Sequence, residues 1–297
     1  IHLTHIQFQS YGNNGDRGFS SAAVEISNYL NKIDNLTCDV GQIMFGQTVT
    51  MSGDSMSQHR NHKHAHPKKW MCMDIECDAG CGVVPFKYQD KSFVNALQWA
   101  IGLEIFLLAE DPWKVFLTTD HPNGAPFTSY PHLIKLLMDK TFRNDILNQL
   151  PKGILEHTIL HTLKREYTMD EISIMTRSAP AKILGLEKKG NFSNGSDADI
   201  TVYNKNIKDI EEMFAHPSLV IKDGKIVVEN GQIKEYIWGK THTVKPEYDK
   251  SIEKDLSKFF DKYHTMKLDN YIISDDEMHR LVGSPIYVNN CSRKRKE

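Results

Sequence analysis

Lys114-Val-Phe-Leu-Thr-Thr-Asp-His-Pro-Asn-Gly124 begins as a short buried strand and stops abruptly in an acidic turn. Apolar and β-branched residues at 115–119 favour extended backbone, whereas Asp120, His-Pro and Asn-Gly are turn formers. Just before it, the apolar run at 91–109 suits a long buried helix, which Asp111-Pro112 breaks ahead of the strand. Further upstream, residues 52–70 are polar and His-rich and read as a loop, and residues 40–51 read as a strand. Ser20 or Ser21 can cap a helix reaching about Lys32, with Val24, Ile26 and Leu30 near one face. Ile1-His-Leu-Thr-His-Ile-Gln-Phe8 alternates with period two, the mark of another strand. Strand, helix, strand, loop, helix, strand is the rhythm of parallel βα units, with helices covering a buried sheet. The expected class is α/β. Functional groups in such folds sit where strands end, and both Thr4-His5 and Thr119-Asp120-His121 fall there.

Downstream, residues 128–185 read as mostly helical, with Thr168-Met-Asp-Glu171 in a capping-box pattern. From Asp199 the character changes to short strands at 199–203, 219–222, 225–228 and 232–238. Asp223-Gly224 and Asn230-Gly231 between them are strong hairpin signals. An amphipathic helix is expected at 249–263. Residues 1–185 are therefore assigned to an α/β domain, 186–244 to a small β domain, and 245–297 to a helix and a loosely structured tail.

The 297 residues carry a net charge of −2, with 40% hydrophobic and 25% charged. That is an ordinary globular composition, and it argues against a nucleic-acid partner. The basic run at 292–297 reads as a solvated tail. Cys38, Cys72, Cys77, Cys81 and Cys291 make an odd count without the look of a disulfide framework, so a cytoplasmic location is expected. No apolar run approaches the roughly 18 residues needed to span a membrane. Because Ile1 already lies inside a strand pattern, residues upstream of it are expected to be missing.

His5 and Asp120 are remote in sequence, yet each ends a strand and would point into one pocket. Imidazole nitrogen and carboxylate oxygen are donors that zinc uses in hydrolytic sites, and a carboxylate can also move the proton of an attacking water. Plainer readings stand beside this one. A strand-end His is commonly a hydrogen-bonded core residue, and Asp120 suits an Asx-type turn. His59, His62, His64 and His66 lack regular ligand spacing and read as exposed loop. Cys72, Cys77 and Cys81 match neither ferredoxin nor zinc-ribbon spacing and read as small buried thiols.

Several stretches resemble one family. Ile1-His-Leu-Thr-His5 resembles the sixth barrel strand of dihydroorotase-like amidohydrolases, whose second His is a metal ligand. Thr118-Thr-Asp-His-Pro-Asn-Gly-Ala-Pro-Phe127 resembles the eighth-strand segment of the amidohydrolase-type subunit of formylmethanofuran dehydrogenase. Thr176-Arg-Ser-Ala-Pro-Ala-Lys-Ile-Leu-Gly-Leu186 and Asn194-Gly-Ser-Asp-Ala-Asp-Ile200 resemble the superfamily's passage from its last barrel helix into its β domain. Ile6-Gln-Phe8, Ser10-Tyr-Gly12 and residues 95–113 add to the likeness, which runs from His2 to about Asp261.

The resemblance implies a partial (β/α)8 TIM-type barrel, about strands six to eight, followed by a small β-sandwich. It implies two zinc ions bridged by a carboxylated lysine, with His5 and Asp120 as ligands and Asp120 as the catalytic proton carrier. The implied reaction condenses formate with methanofuran to N-formylmethanofuran, reversibly, in CO2-reducing methanogenesis. The implied partners are the other subunits, including a tungsten or molybdenum formate dehydrogenase-like subunit. His2, Gln9, His121 and Asn123 are candidate substrate contacts, although Gln9 stands where the family suggests His. The remaining ligands, lysine included, would lie before Ile1, so the chain alone is expected to be inactive. Three alternatives remain: a cyclic amidohydrolase of dihydroorotase or hydantoinase type, a subunit of the bacterial formyltransferase/hydrolase complex, and a metal-free scaffold relative.

Overall fold

Three short strands and two helices place the site. The computed structural model describes residues 1–14, 20–51, 83–264, 267–271, 274, 276–278 and 286–291. His59, His62, His64, His66, Cys72, Cys77, Cys81 and the basic tail lie outside these residues. The chain groups into two compact units, residues 1–50 with 83–235, and residues 51–82 with 236–297.

In the first unit the chain runs through β1 (His2–Leu3), β2 (Tyr11–Gly12), β3 (Ser20–Ser21), α1 (Ala23–Lys32), β4 (Thr37–Val40), β5 (Gly46–Met51), β6 (Val83–Tyr88), α2 (Phe93–Leu108) and β7 (Val115–Leu117). β1, β4 and β7 form a parallel sheet with β4 in the middle. Its register sets His2 opposite Thr37, and Asp39 opposite Phe116. α1 connects β1 to β4 and α2 leads into β7, as βα units require. The sheet is open, with no closed barrel among the described residues.

α2 is buried on all sides from Val94 to Leu107 because its sequence is apolar on every face. The Ser92 side chain caps it by accepting the Asn95 N–H. Gly102 lets the helix lie directly on the end of β4: a Cβ there would sit 2.6 Å from Ile43 Cγ2 and 2.9 Å from Val40 Cγ1. The polar residues deepest in the helix are partnered. Gln98 donates to Gln42 Oε1 at 2.8 Å, and Glu104 accepts from the Ser21 and Thr158 hydroxyls and from Ile159 N–H. Burial outweighs those donors and holds the Glu104 carboxyl above its usual range.

The strand expected at 232–238 ends at Ile233, and two expected strands beside the site are also shorter than their alternation suggests. The first ends at Leu3, because His5 turns left-handed (φ +49°) and leads into a 3-10 turn at Ile6–Gln9. The His5 N–H then bonds to the Asp39 side chain at 2.8 Å instead of to a ladder carbonyl. The strand expected at 40–51 is interrupted after Val40, where the Gly41 N–H donates to Gln7 Oε1 at 3.1 Å.

The unit continues through α3 (Tyr130–Met138), α4 (Lys140–Gln149), α5 (Met169–Ser173), α6 (Ala179–Ile183), β8 (Ile200–Val202), α7 (Ile210–Ala215), β9 (Leu219–Lys222), β10 (Lys225–Glu229) and β11 (Gln232–Ile233). The expected capping box is present at Thr168 and Glu171. β8 to β11 make one antiparallel sheet in the order β11-β10-β9-β8, and this unit's described residues form no sandwich. In the second unit, β12 (Thr241–Pro246) and β13 (Ile286–Cys291) pair in parallel. Between them α8 (Ile252–Tyr263) buries none of its residues.

Candidate functional site

β1 and β7 are the edges of the parallel sheet, and each runs out into a residue with left-handed backbone, His5 (φ +49°) and Asp120 (φ +47°). The two turns bring their side chains together, with His5 Nδ1 3.5 Å from Asp120 Oδ2. The turn after β7 is built on Asp120. Its N–H donates to Thr118 Oγ1 at 3.1 Å, and its carbonyl accepts from the Asn123 and Gly124 N–H groups. Gly124 has no alternative there, since a Cβ would come within 2.1 Å of the Gly41 carbonyl oxygen.

β4 contributes a residue that sequence reasoning missed. Asp39 is a buried carboxylate in the middle strand. Its Oδ1 accepts the His5 N–H at 2.8 Å and lies 3.5 Å from His5 Nε2. Its Oδ2 lies 2.9 Å from His2 Nε2. The signal was there in principle: an acid inside the apolar strand Thr37-Cys-Asp-Val40 needs a partner to be buried.

Of the other candidates, His2 uses both ring nitrogens, with Nδ1 2.9 Å from Thr37 Oγ1, and stacks on Phe116. Asn123 hydrogen-bonds the Asp120 carboxyl through its side chain, and its own Oδ1 is buried without a partner among the described residues. His121 Nδ1 accepts the Phe127 N–H at 3.2 Å, which closes the turn. Gln9 is exposed at the end of its 3-10 turn. Its neighbour Gln7 is the buried one, with Nε2 unpartnered among the described residues.

Burial raises the Asp120 carboxyl above the ordinary aspartate range, and the Asp39 charge adds to this; His5 and the Asn123 hydrogen bond pull the other way without prevailing. Tyr88 is pushed up to about 12, first by burial and then by the Asp120 charge. Burial and Asp39 likewise raise the Cys38 thiol to about 12, which leaves it unreactive.

The fit to zinc is partial. A nitrogen and an oxygen 3.5 Å apart match the separation of about 3.4 Å between two ligands of one tetrahedral zinc with bonds of about 2.0–2.1 Å. Among the described residues, however, no group of three or more His, Cys, Asp or Glu side chains is arranged to hold a metal ion. His5 and Asp120 suit the metal in donor type and spacing but fall short in number. Elsewhere in this unit a cavity of about 380 Å³ is lined by Leu117, Tyr130, Ile134, Arg177, Tyr203 and Phe214 among others; His5, Asp39 and Asp120 do not line it.

A sequence profile of the amidohydrolase family matches residues 1–228, which include both strand-end turns. The chain belongs to the amidohydrolase family. A subunit of the formyltransferase/hydrolase complex Fhc of Methylorubrum extorquens is 42% identical to this amidohydrolase chain over 289 residues, 96% of this chain and 52% of the relative. Protein FwdA of Methanocaldococcus jannaschii is 39% identical over 284 residues, 92% of this chain and 50% of that protein. The crystal structure of the Methylorubrum extorquens formyltransferase/hydrolase complex FhcABCD with methylofuran contains a chain that superposes with a TM-score of 0.75 at 39% identity. That match covers 98% of this chain and 53% of the other. The chain thus spans about half the length of the curated relatives it matches. No helix of the described residues is long and apolar enough to cross a membrane.

Proposed function

We propose that this amidohydrolase chain is part of a subunit that makes and breaks an N-formyl amide on an amine of the methanofuran type. The observation that carries the reading is the meeting of His5 and Asp120 across the sheet, in a chain whose relatives include a component of a formyltransferase/hydrolase complex. Hydrolysis and condensation are one reaction read in two directions. Water adds to the formyl carbon and the C–N bond breaks, or the amine adds to formate and water leaves.

Asp120 accepts the proton of the attacking water and returns it to the departing nitrogen. A carboxyl held above its usual range by burial suits both tasks. His5 presents its imidazole to the same reacting centre, and His121 and Asn123, beside Asp120, orient the amide. Two zinc ions, held by His5 and Asp120 with ligands beyond the described residues, would polarise the carbonyl and stabilise the oxyanion. With only two such donors in place among the described residues, the isolated chain is expected to be inactive. Formate would come from a tungsten or molybdenum partner subunit in the dehydrogenase setting; the formyltransferase/hydrolase setting uses the same amide step.

The complex containing this chain, supplied with N-formylmethanofuran, should release formate and the free amine in equal amounts. Turnover of dihydroorotate or hydantoin with the formyl amide untouched would replace this reading with that of a cyclic amidohydrolase.

A further inference from the structure

We propose that Asp39 is a positioning residue, which clamps both histidines of the β1 segment and fixes the His5 ring with hydrogen on Nε2 and the Nδ1 lone pair towards Asp120. The clamp is built from the middle strand. Thr37 and Asp39 lie two residues apart on β4 and so share one face. Both reach His2, whose ring nitrogens sit 2.9 Å from Thr37 Oγ1 and 2.9 Å from Asp39 Oδ2. Stacking on Phe116 at 5.4 Å holds that ring from the far strand of the sheet. With Oδ2 committed to His2, Oδ1 is left for His5, where it receives the backbone N–H at 2.8 Å and faces Nε2 at 3.5 Å.

The His5 ring has little room to choose otherwise. A Cβ on Gly41 would lie 2.6 Å from His5 Cδ2, so the ring packs directly on that backbone. The Gly41 N–H is in turn held by fully buried Gln7. Two carboxylates face the ring, and they differ in solvent access. Asp39 is 8% exposed and tied by two donors, whereas Asp120 is only half-buried, with water to compete for it. An N–H dipole is held better by the drier, fixed acceptor. A carboxylate behind an imidazole selects the tautomer and raises the electron-donating power of the opposite nitrogen. The consequence for turnover rests on the formyl-amide reading; the tautomer does not.

The test is long-range proton–nitrogen NMR of the labelled full chain near pH 8, above the ordinary histidine range of about 6.5. His5 should carry its hydrogen on Nε2 in the wild type and shift to a mixture, or to Nδ1, in Asp39→Asn. Thr37→Val, which frees only His2, should leave His5 unchanged. In the complex, Asp39→Asn should lower kcat by about 10- to 100-fold with KM little altered. An Nδ1–H His5 in the wild type overturns the proposal, and that measurement decides even where Asp39→Asn does not fold. A His5 tautomer unmoved by Asp39→Asn overturns it as well. If the tautomer shifts while formyl-amide turnover is untouched, the clamp stands and the functional reading falls.

Discussion

His5 and Asp120 share a left-handed backbone with Asp223 and Asn230, all at φ of +47° to +49°, and the two pairs use it differently. Asp223 and Asn230 each precede a glycine that is also left-handed, making the tight hairpins that join β9 to β10 and β10 to β11. There the conformation is a means of reversing the chain, and Asp and Asn accept it readily. His5 and Asp120 follow strands of the parallel sheet. In such positions a left-handed residue costs about 1–3 kcal/mol and persists because its surroundings hold it. Asp39 grips the one, and the Asn123 and Gly124 N–H groups grip the other.

Charge is arranged just as differently. Near the hairpins, Lys189 answers Asp197 at 2.8 Å and Asp199 at 2.6 Å. Between β1 and β7, two carboxylates share the His5 ring. The hairpin region is satisfied. At the strand ends one imidazole stands between two acids, an arrangement that suits the proposed chemistry more than it suits stability.

Asp120→Asn should separate these two roles most sharply. Turnover of the complex should fall about a thousandfold, the scale of a lost proton carrier. Stability should not fall with it. Burial raises the Asp120 carboxyl in the folded state, so the fold binds the proton more tightly than the unfolded chain does. Stability therefore drops as pH rises from about 3.9, the unfolded aspartate value, through the raised folded value. The Asn variant escapes that loss. With both proteins stripped of metal, its melting temperature at pH 7 should equal or exceed the wild type's, and the difference should vanish near pH 3.

Glu104 is an acid with the opposite assignment. Glu104→Ala leaves the Ser21 and Thr158 hydroxyls and the Ile159 N–H without their acceptor, and should cost about 1–3 kcal/mol in urea unfolding; Glu104→Gln should cost much less. The hairpin should respond least. Asn230→Gly, with the same φ available, should change stability by about 0.5 kcal/mol or less. His5→Gly, equally relaxed in backbone, should abolish turnover.

What could be read from the sequence was local. The Asp-Gly and Asn-Gly hairpins, the Thr168–Glu171 box, the buried α2 and the strand-turn at Asp120 each depend on neighbours a few residues away. Asp39 could not be found that way. Its partners come from the β1 segment through the parallel register, and an acid within a four-residue strand gives no hint of which histidine it will meet. The same contact explains the overlong first strand, since alternation continues past Leu3 while the Asp39–His5 bond turns the chain.

If the formyl-amide reading holds, His5 and Asp120 act as one unit across the sheet. A double-mutant cycle on kcat/KM for formyl-amide hydrolysis by the complex, with His5→Ala, Asp120→Asn and both together, measures that coupling. The double variant should be little worse than the poorer single one. Losses that multiply in full would show two residues working independently, and the joint role assigned to them would be wrong.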